Sequence, residues 1–147
     1  MNILFNTGSY IEGKNIMKKV TRNIIVNQCH YVYWYKLSCE STVIYVSPLD
    51  DKTNKISFEF ENCTDLSHEN DAWFWRLTKM KAQMEKETIE IEILMPKFIA
   101  SLIKVAMMEN LNLFKEKNTK KHFAHAYLFL EKMGYTDIDP LWEATLW

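Results

Sequence analysis

The chain has 147 residues, of which 48% are hydrophobic and 14% aromatic, and carries a net charge of −1. That length and apolar content suffice for a single domain with a proper core. The charge lacks the basic excess of a protein that binds double-stranded nucleic acid, and no apolar run approaches the roughly 20 residues of a membrane-spanning helix.

Cys29, Cys39 and Cys63 are odd in number and lack CxxC spacing. They fit reduced thiols in the cytoplasm better than a disulfide framework. The chain has three glycines, Gly8, Gly13 and Gly134. No pair has the spacing of a phosphate-cradling loop, so a nucleotide cofactor of the P-loop or dinucleotide type is excluded, and no cofactor is expected.

In chain order, residues 1–16 lack the basic-then-apolar pattern of a secretory signal. Met17-Lys18-Lys19 resembles an ordinary start, so 1–16 is expected to be a loosely attached N-terminal extension and 17–147 a single α+β domain. Short strands follow. Residues 23–27 carry Ile24, Ile25 and Val26. Residues 28–38 set Tyr31, Tyr33, Tyr35 and Leu37 on one face and Val32 and Trp34 on the other. Residues 42–47 come next, then a turn at Pro48–Asp51. Residues 55–61 direct Ile56, Phe58 and Phe60 inward. Short alternating runs joined by short polar links predict an antiparallel meander.

Residues 63–71 read as a polar loop. Trp73, Leu77, Met80 and Met84 recur at helical spacing and predict a helix over 72–86, with a strand beginning at Trp73–Trp75 as the alternative. Ile89, Ile91 and Ile93 alternate with Glu90 and Glu92, which predicts a strand. Pro96 ends it and opens a helix whose apolar face holds Phe98, Ile99, Leu102, Ile103, Val105 and Ala106. The simplest arrangement lays that helix on the sheet containing the strand. After a charged loop at 115–121, Phe123, Tyr127, Leu130 and Met133 predict another helix, with Gly134 as its left-handed cap. Asp137–Pro140 reads as a turn, and 141–147 as a closing strand. The fold class expected is α+β: an antiparallel β-sheet meander with two to three helices packed on one face.

Chemistry is sparse. His122 and His125, three apart on the expected helix, could share a metal, but with no third ligand nearby two solvated histidines are expected and no metal site is assigned. Glu90 and Glu92 could act as a carboxylate pair, yet a wet strand face explains them as well. Cys29-His30 and Cys63 with His68 lack metal-ligand spacing. No local signature marks a nucleophile, so no catalytic residue is assigned and the chain does not read as an enzyme.

Charge is distributed unevenly. Between residues 40 and 71, Glu40, Asp50, Asp51, Glu59, Glu61, Asp65, Glu69 and Asp71 face only Lys52 and Lys55, a net of −6. Such an acidic lobe can steer a basic protein partner. It also fits a solvated surface that maintains solubility. The aromatic strand residues Tyr31, Tyr33, Trp34 and Tyr35 offer an alternative: a stacking platform for a small molecule or single-stranded nucleic acid. Their bland reading is core and cross-strand packing.

The pattern Arg22-x-Ile24-x-Val26 with Tyr31-x-Tyr33-x-Tyr35, and the later Pro96-Lys97-Phe98-Ile99-Ala100-x-Leu102-Ile103, resemble small bacterial proteins of unknown function, orphan or immunity-type. The likeness runs over about residues 20–147. Its motifs are structural, and the resemblance implies a short antiparallel sheet followed by a helix, with no functional residue carried over. The expected function is non-catalytic binding of another macromolecule.

Overall fold

The structure, a computed structural model, describes residues 20–38, 40–61, 73–110, 113–115 and 118–146. The expected extension at 1–16 and the polar loop at 63–71 lie outside the described residues. The elements are β1 (Arg22–Val26), β2 (Cys29–Leu37), β3 (Ser41–Pro48), β4 (Lys55–Glu61), β5 (Trp73–Met84), β6 (Glu87–Glu92), α1 (Pro96–Glu109), β7 (Lys120–Phe123), α2 (Tyr127–Lys132) and β8 (Thr136–Leu146). The described chain is mostly β-strand, with two helices. None of its helices is long and apolar enough to cross a membrane.

The strands form two sheets where the sequence suggests one. The meander β1-β2-β3-β4 is antiparallel, and β7 extends it by pairing parallel with β4. The second sheet has the order β6-β5-β8 and is antiparallel throughout. Two hairpins close on two-residue turns with both residues at positive φ, Asn27-Gln28 (51° and 68°) and Glu85-Lys86 (50° and 71°). Such mirror-image turns match the twist of paired strands and normally use glycine. A chain this poor in glycine has side-chain-bearing residues there instead.

The predicted helix at 72–86 is a strand, β5, and the reason is a bulge. Leu77 pairs with Trp142 and Lys79 with Leu141, so Thr78 is an extra residue on β5. An inserted residue flips the inward parity. Leu77 and then Met80 and Ala82 are buried as a result. The three-residue step from Leu77 to Met80 imitates a helical period. The backbone N–H of Ile93 donates to the Thr78 carbonyl at 3.0 Å and ties the bulge to the end of β6.

Two further expectations are corrected. Asp137–Pro140 is not a turn but part of β8, where a second register shift puts an extra residue on β8 and Asp137 takes φ 50°. The turn residues serve a bulge, and Pro140 is tolerated because β8 is an edge strand that need not donate on both sides. The helix expected from Phe123 starts at Tyr127, since Phe123 belongs to β7. Gly134 ends α2 at φ +104°, with its N–H on the Glu131 carbonyl at 3.0 Å.

Pro96 opens α1, its fixed φ suited to the first turn. At the other end the Asn110 side chain donates to the Ala106 carbonyl at 3.1 Å. Phe98, Ile99, Leu102, Ile103 and Ala106 are buried; burying Phe98, Leu102 and Ile103 contributes about 1.5–3 kcal/mol each. Contrary to the simplest expectation, α1 meets the five-stranded sheet: Phe98 packs on Phe60 of β4 with ring centres 6.2 Å apart, and the Tyr31 hydroxyl of β2 points to the Met107 sulfur at 3.8 Å. From α2, Phe129 and Tyr127 set their edges on Phe58 and Phe60 at 5.5 and 5.4 Å. Both helices thus contact the face that carries Phe58 and Phe60. The second sheet joins the same core, where the buried Thr42 hydroxyl donates to the Leu77 carbonyl at 2.6 Å.

Candidate functional site

The opposite face of the five-stranded sheet carries aromatic, hydroxyl, imidazole and carboxylate side chains. Strand alternation turns Trp34, Tyr45, Ser57 and His122 outward, and the register lines them up in one row across β2, β3, β4 and β7. Trp34 and Tyr45, both half-buried, stack with centroids 5.5 Å apart and planes 11° apart. The Lys55 ammonium lies 5.3 Å from the centre of the Tyr45 ring, within cation–π range.

The row ends in a hydrogen-bonded chain. Ser57 Oγ lies 2.6 Å from His122 Nδ1, and His122 Nε2 lies 2.8 Å from Glu59 Oε1. A carboxylate only accepts, so His122 donates from Nε2, while its Nδ1 is hydrogen-bonded to the serine hydroxyl. His125 donates from Nδ1 to Glu61 Oε1 at 2.5 Å. Glu59 and Glu61 alternate on β4, so the two imidazoles hold two successive outward carboxylates.

Serine, imidazole and carboxylate in series are also the parts of a nucleophilic triad. Here Ser57 is only 8% exposed and sits in a strand paired on both sides. The neighbouring backbone amides face strand partners rather than a site for an oxyanion. The arrangement acts as a clamp holding the short strand β7 onto β4.

The aromatic candidates divide between the two faces. Tyr31 and Tyr33 are buried on the helix side. Burial, assisted by Cys29, pushes the Tyr31 hydroxyl up to about 12. Burial also raises Tyr33, partly offset by the Arg22 guanidinium. Tyr35 lies on the same side as these two and is 39% exposed. Trp34 alone of the four faces away from the helices.

The described acidic candidates do not converge either. Asp50 is exposed beside Asp51, whose carboxylate accepts from the Thr53 hydroxyl at 2.5 Å and closes the β3–β4 turn. Glu40 is exposed at the other end of the sheet, next to Ser41, which pairs with Glu61. Glu59 and Glu61 are engaged by the two histidines, and Asp65, Glu69 and Asp71 lie outside the described residues. The described acidic residues of this stretch form two groups separated by the length of β4.

His122 and His125 are a strand and a turn residue rather than helical neighbours, each directed at its own glutamate. Among the described residues no three His, Cys, Asp or Glu side chains gather as metal ligands would. Glu90 and Glu92 are exposed on β6, with Lys79 Nζ 4.0 Å from Glu90. Cys29 is an exposed free thiol.

Sequence reasoning missed Tyr45, Lys55 and Ser57 as members of this face. The alternation of β3 and β4 marks each as outward, but only the strand register brings them beside Trp34 and His122. The chain matches no protein-family model, no curated protein and no solved structure.

Proposed function

We propose that the chain is a non-catalytic binding protein that engages another protein, basic in character, through the face of its five-stranded sheet that carries Trp34 and Tyr45. The observation that carries this reading is the stacked pair Trp34 and Tyr45, half-buried at the centre of that face. Large, rigid aromatic side chains are typical anchors of protein interfaces. Glu40 and Asp50, exposed at opposite ends of the sheet, supply charge that favours a basic partner. In its sharpest form this is an immunity-type inhibitor that masks a basic toxin such as a nuclease. The odd cysteine count, with Cys29 a free thiol, favours a cytoplasmic setting.

The test is capture of partners on the tagged protein at low and moderate salt, with Trp34→Ala and the double charge reversal Asp50→Lys/Asp51→Lys beside the wild type. The reading expects one dominant basic protein, lost with Trp34→Ala and bound more slowly by the charge-reversed variant. Retention of that protein by both variants at both salts would sink it.

The parallel rings with Lys55 beside them also favour a second reading, a platform for a small aromatic ligand or single-stranded nucleic acid. Saturable binding of a short oligonucleotide, abolished by Trp34→Ala without a fall in melting temperature, would establish it over the first.

A further inference from the structure

A groove of about 650 Å³ runs between α2 and the start of β8, away from the sheet face that carries Trp34 and Tyr45. Tyr127 and Glu131 line it from α2; Tyr135, Asp137, Ile138 and Pro140 line it from the chain that follows. Its walls thus combine two phenol rings and two apolar side chains with two carboxylates. Glu131 and Asp137 are both exposed, and among the described residues neither shares its carboxylate with a cation. Lys132, the next residue on α2, is committed to Glu109 at 2.6 Å. Tyr127 is held in the wall by its hydroxyl, which donates to the Glu61 carbonyl at 2.9 Å, and by Phe60 against its ring.

We propose that this groove binds an arginine side chain of a protein partner. A guanidinium is planar, stacks on phenol rings and pairs with carboxylates through two parallel N–H donors. The groove supplies both kinds of recognition, with its negative charge unneutralised among the described residues, and its volume suits one long side chain with flanking backbone. An uncharged apolar segment would bury Glu131 and Asp137 without a partner, which is costly. The inference does not rest on the sheet-face reading, since none of the groove residues belongs to that face.

The experiment is a titration of the isotopically labelled full chain with Nα-acetylarginine methylamide, followed by amide chemical shifts, with the citrulline analogue as the neutral isostere. Saturable shifts at Glu131, Tyr135, Asp137 and Ile138 are expected with arginine and not with citrulline. The double variant Glu131→Gln/Asp137→Asn should bind roughly five- to tenfold more weakly. Asparagine also tolerates the positive φ at 137, so the fold is retained, which the spectrum itself reports. Equal shifts with citrulline, no change in the double variant, or no shift at these amides would overturn the proposal. Each of those outcomes leaves the Trp34 test unaffected.

Discussion

Ser57 and His122 lie 65 residues apart in sequence and 2.6 Å apart in space, joining β4 to β7 through a serine hydroxyl and an imidazole. The same imidazole reaches Glu59. Because β7 is only four residues long, this clamp adds to its ladder with β4 and to the packing of Phe123 on Phe58 and Phe129. Ser57→Ala should therefore destabilise the fold by about 1 kcal/mol. The Ser57→Ala/His122→Ala double mutant should cost less than the two single costs added together, because the pair shares one interaction. Urea denaturation of the four proteins measures this. Strict additivity would mean that the two side chains do not act as a pair.

Thr42 is the polar stitch between the two sheets, its hydroxyl buried and donating to the Leu77 carbonyl. Thr42→Val keeps the shape and removes the donor. The expected loss is about 1–3 kcal/mol, since a buried acceptor loses a partner that water cannot replace. Thr42→Ser, which retains the donor, should recover part of it. If valine proves as stable as threonine, the bond contributes nothing net to joining the sheets.

The turn residues predict stabilisation in one place and damage in another. Lys86 has φ 71° at the second position of its two-residue turn. Lys86→Gly should raise stability by about 0.5–1 kcal/mol, the relief of a left-handed side-chain-bearing residue less the added freedom of the unfolded chain. Gly134→Ala should lower it by about 1 kcal/mol. There the obstacle is φ +104°, because an added Cβ would meet the Met84 sulfur at 3.5 Å and its methyl carbon at 3.6 Å, both ordinary contacts. Thermal unfolding of the two variants should shift in opposite directions.

Tyr31 gives a pH dependence with a definite sign. Its hydroxyl is raised from 10.0 to about 12 in the folded chain, mainly by burial. An acid raised on folding contributes stability that is complete below its unfolded value and lost as pH rises through its folded value. Stability should therefore fall between pH 10.0 and about 12, with tyrosinate absorbance from this residue appearing together with unfolding. Tyr31→Phe should flatten that fall. Tyr33, also raised by burial, contributes in the same direction.

Much of the fold was legible because it is local. Ile56, Phe58 and Phe60 alternate and are all buried, and Pro96 separates a strand from a helix just where a missing N–H and a fixed φ require. Gly134 ends a helix because the backbone there needs a positive φ. The acidic and aromatic candidates were legible as residue types, but not as a surface.

What only the tertiary structure decided depends on register and parity. A one-residue bulge at Thr78 turned an apparently helical spacing into a strand, because hydrophobic spacing in one chain cannot distinguish a 3.6-residue period from a two-residue period with an insertion. Two sheets formed where one was expected because β8 returns to pair with β5 across more than fifty residues. The row Trp34, Tyr45, Ser57 and His122 exists only once four strands are aligned. Composition and alternation determined which side chains face outward; the long-range pairing of strands, which no local pattern encodes, determined which of them meet.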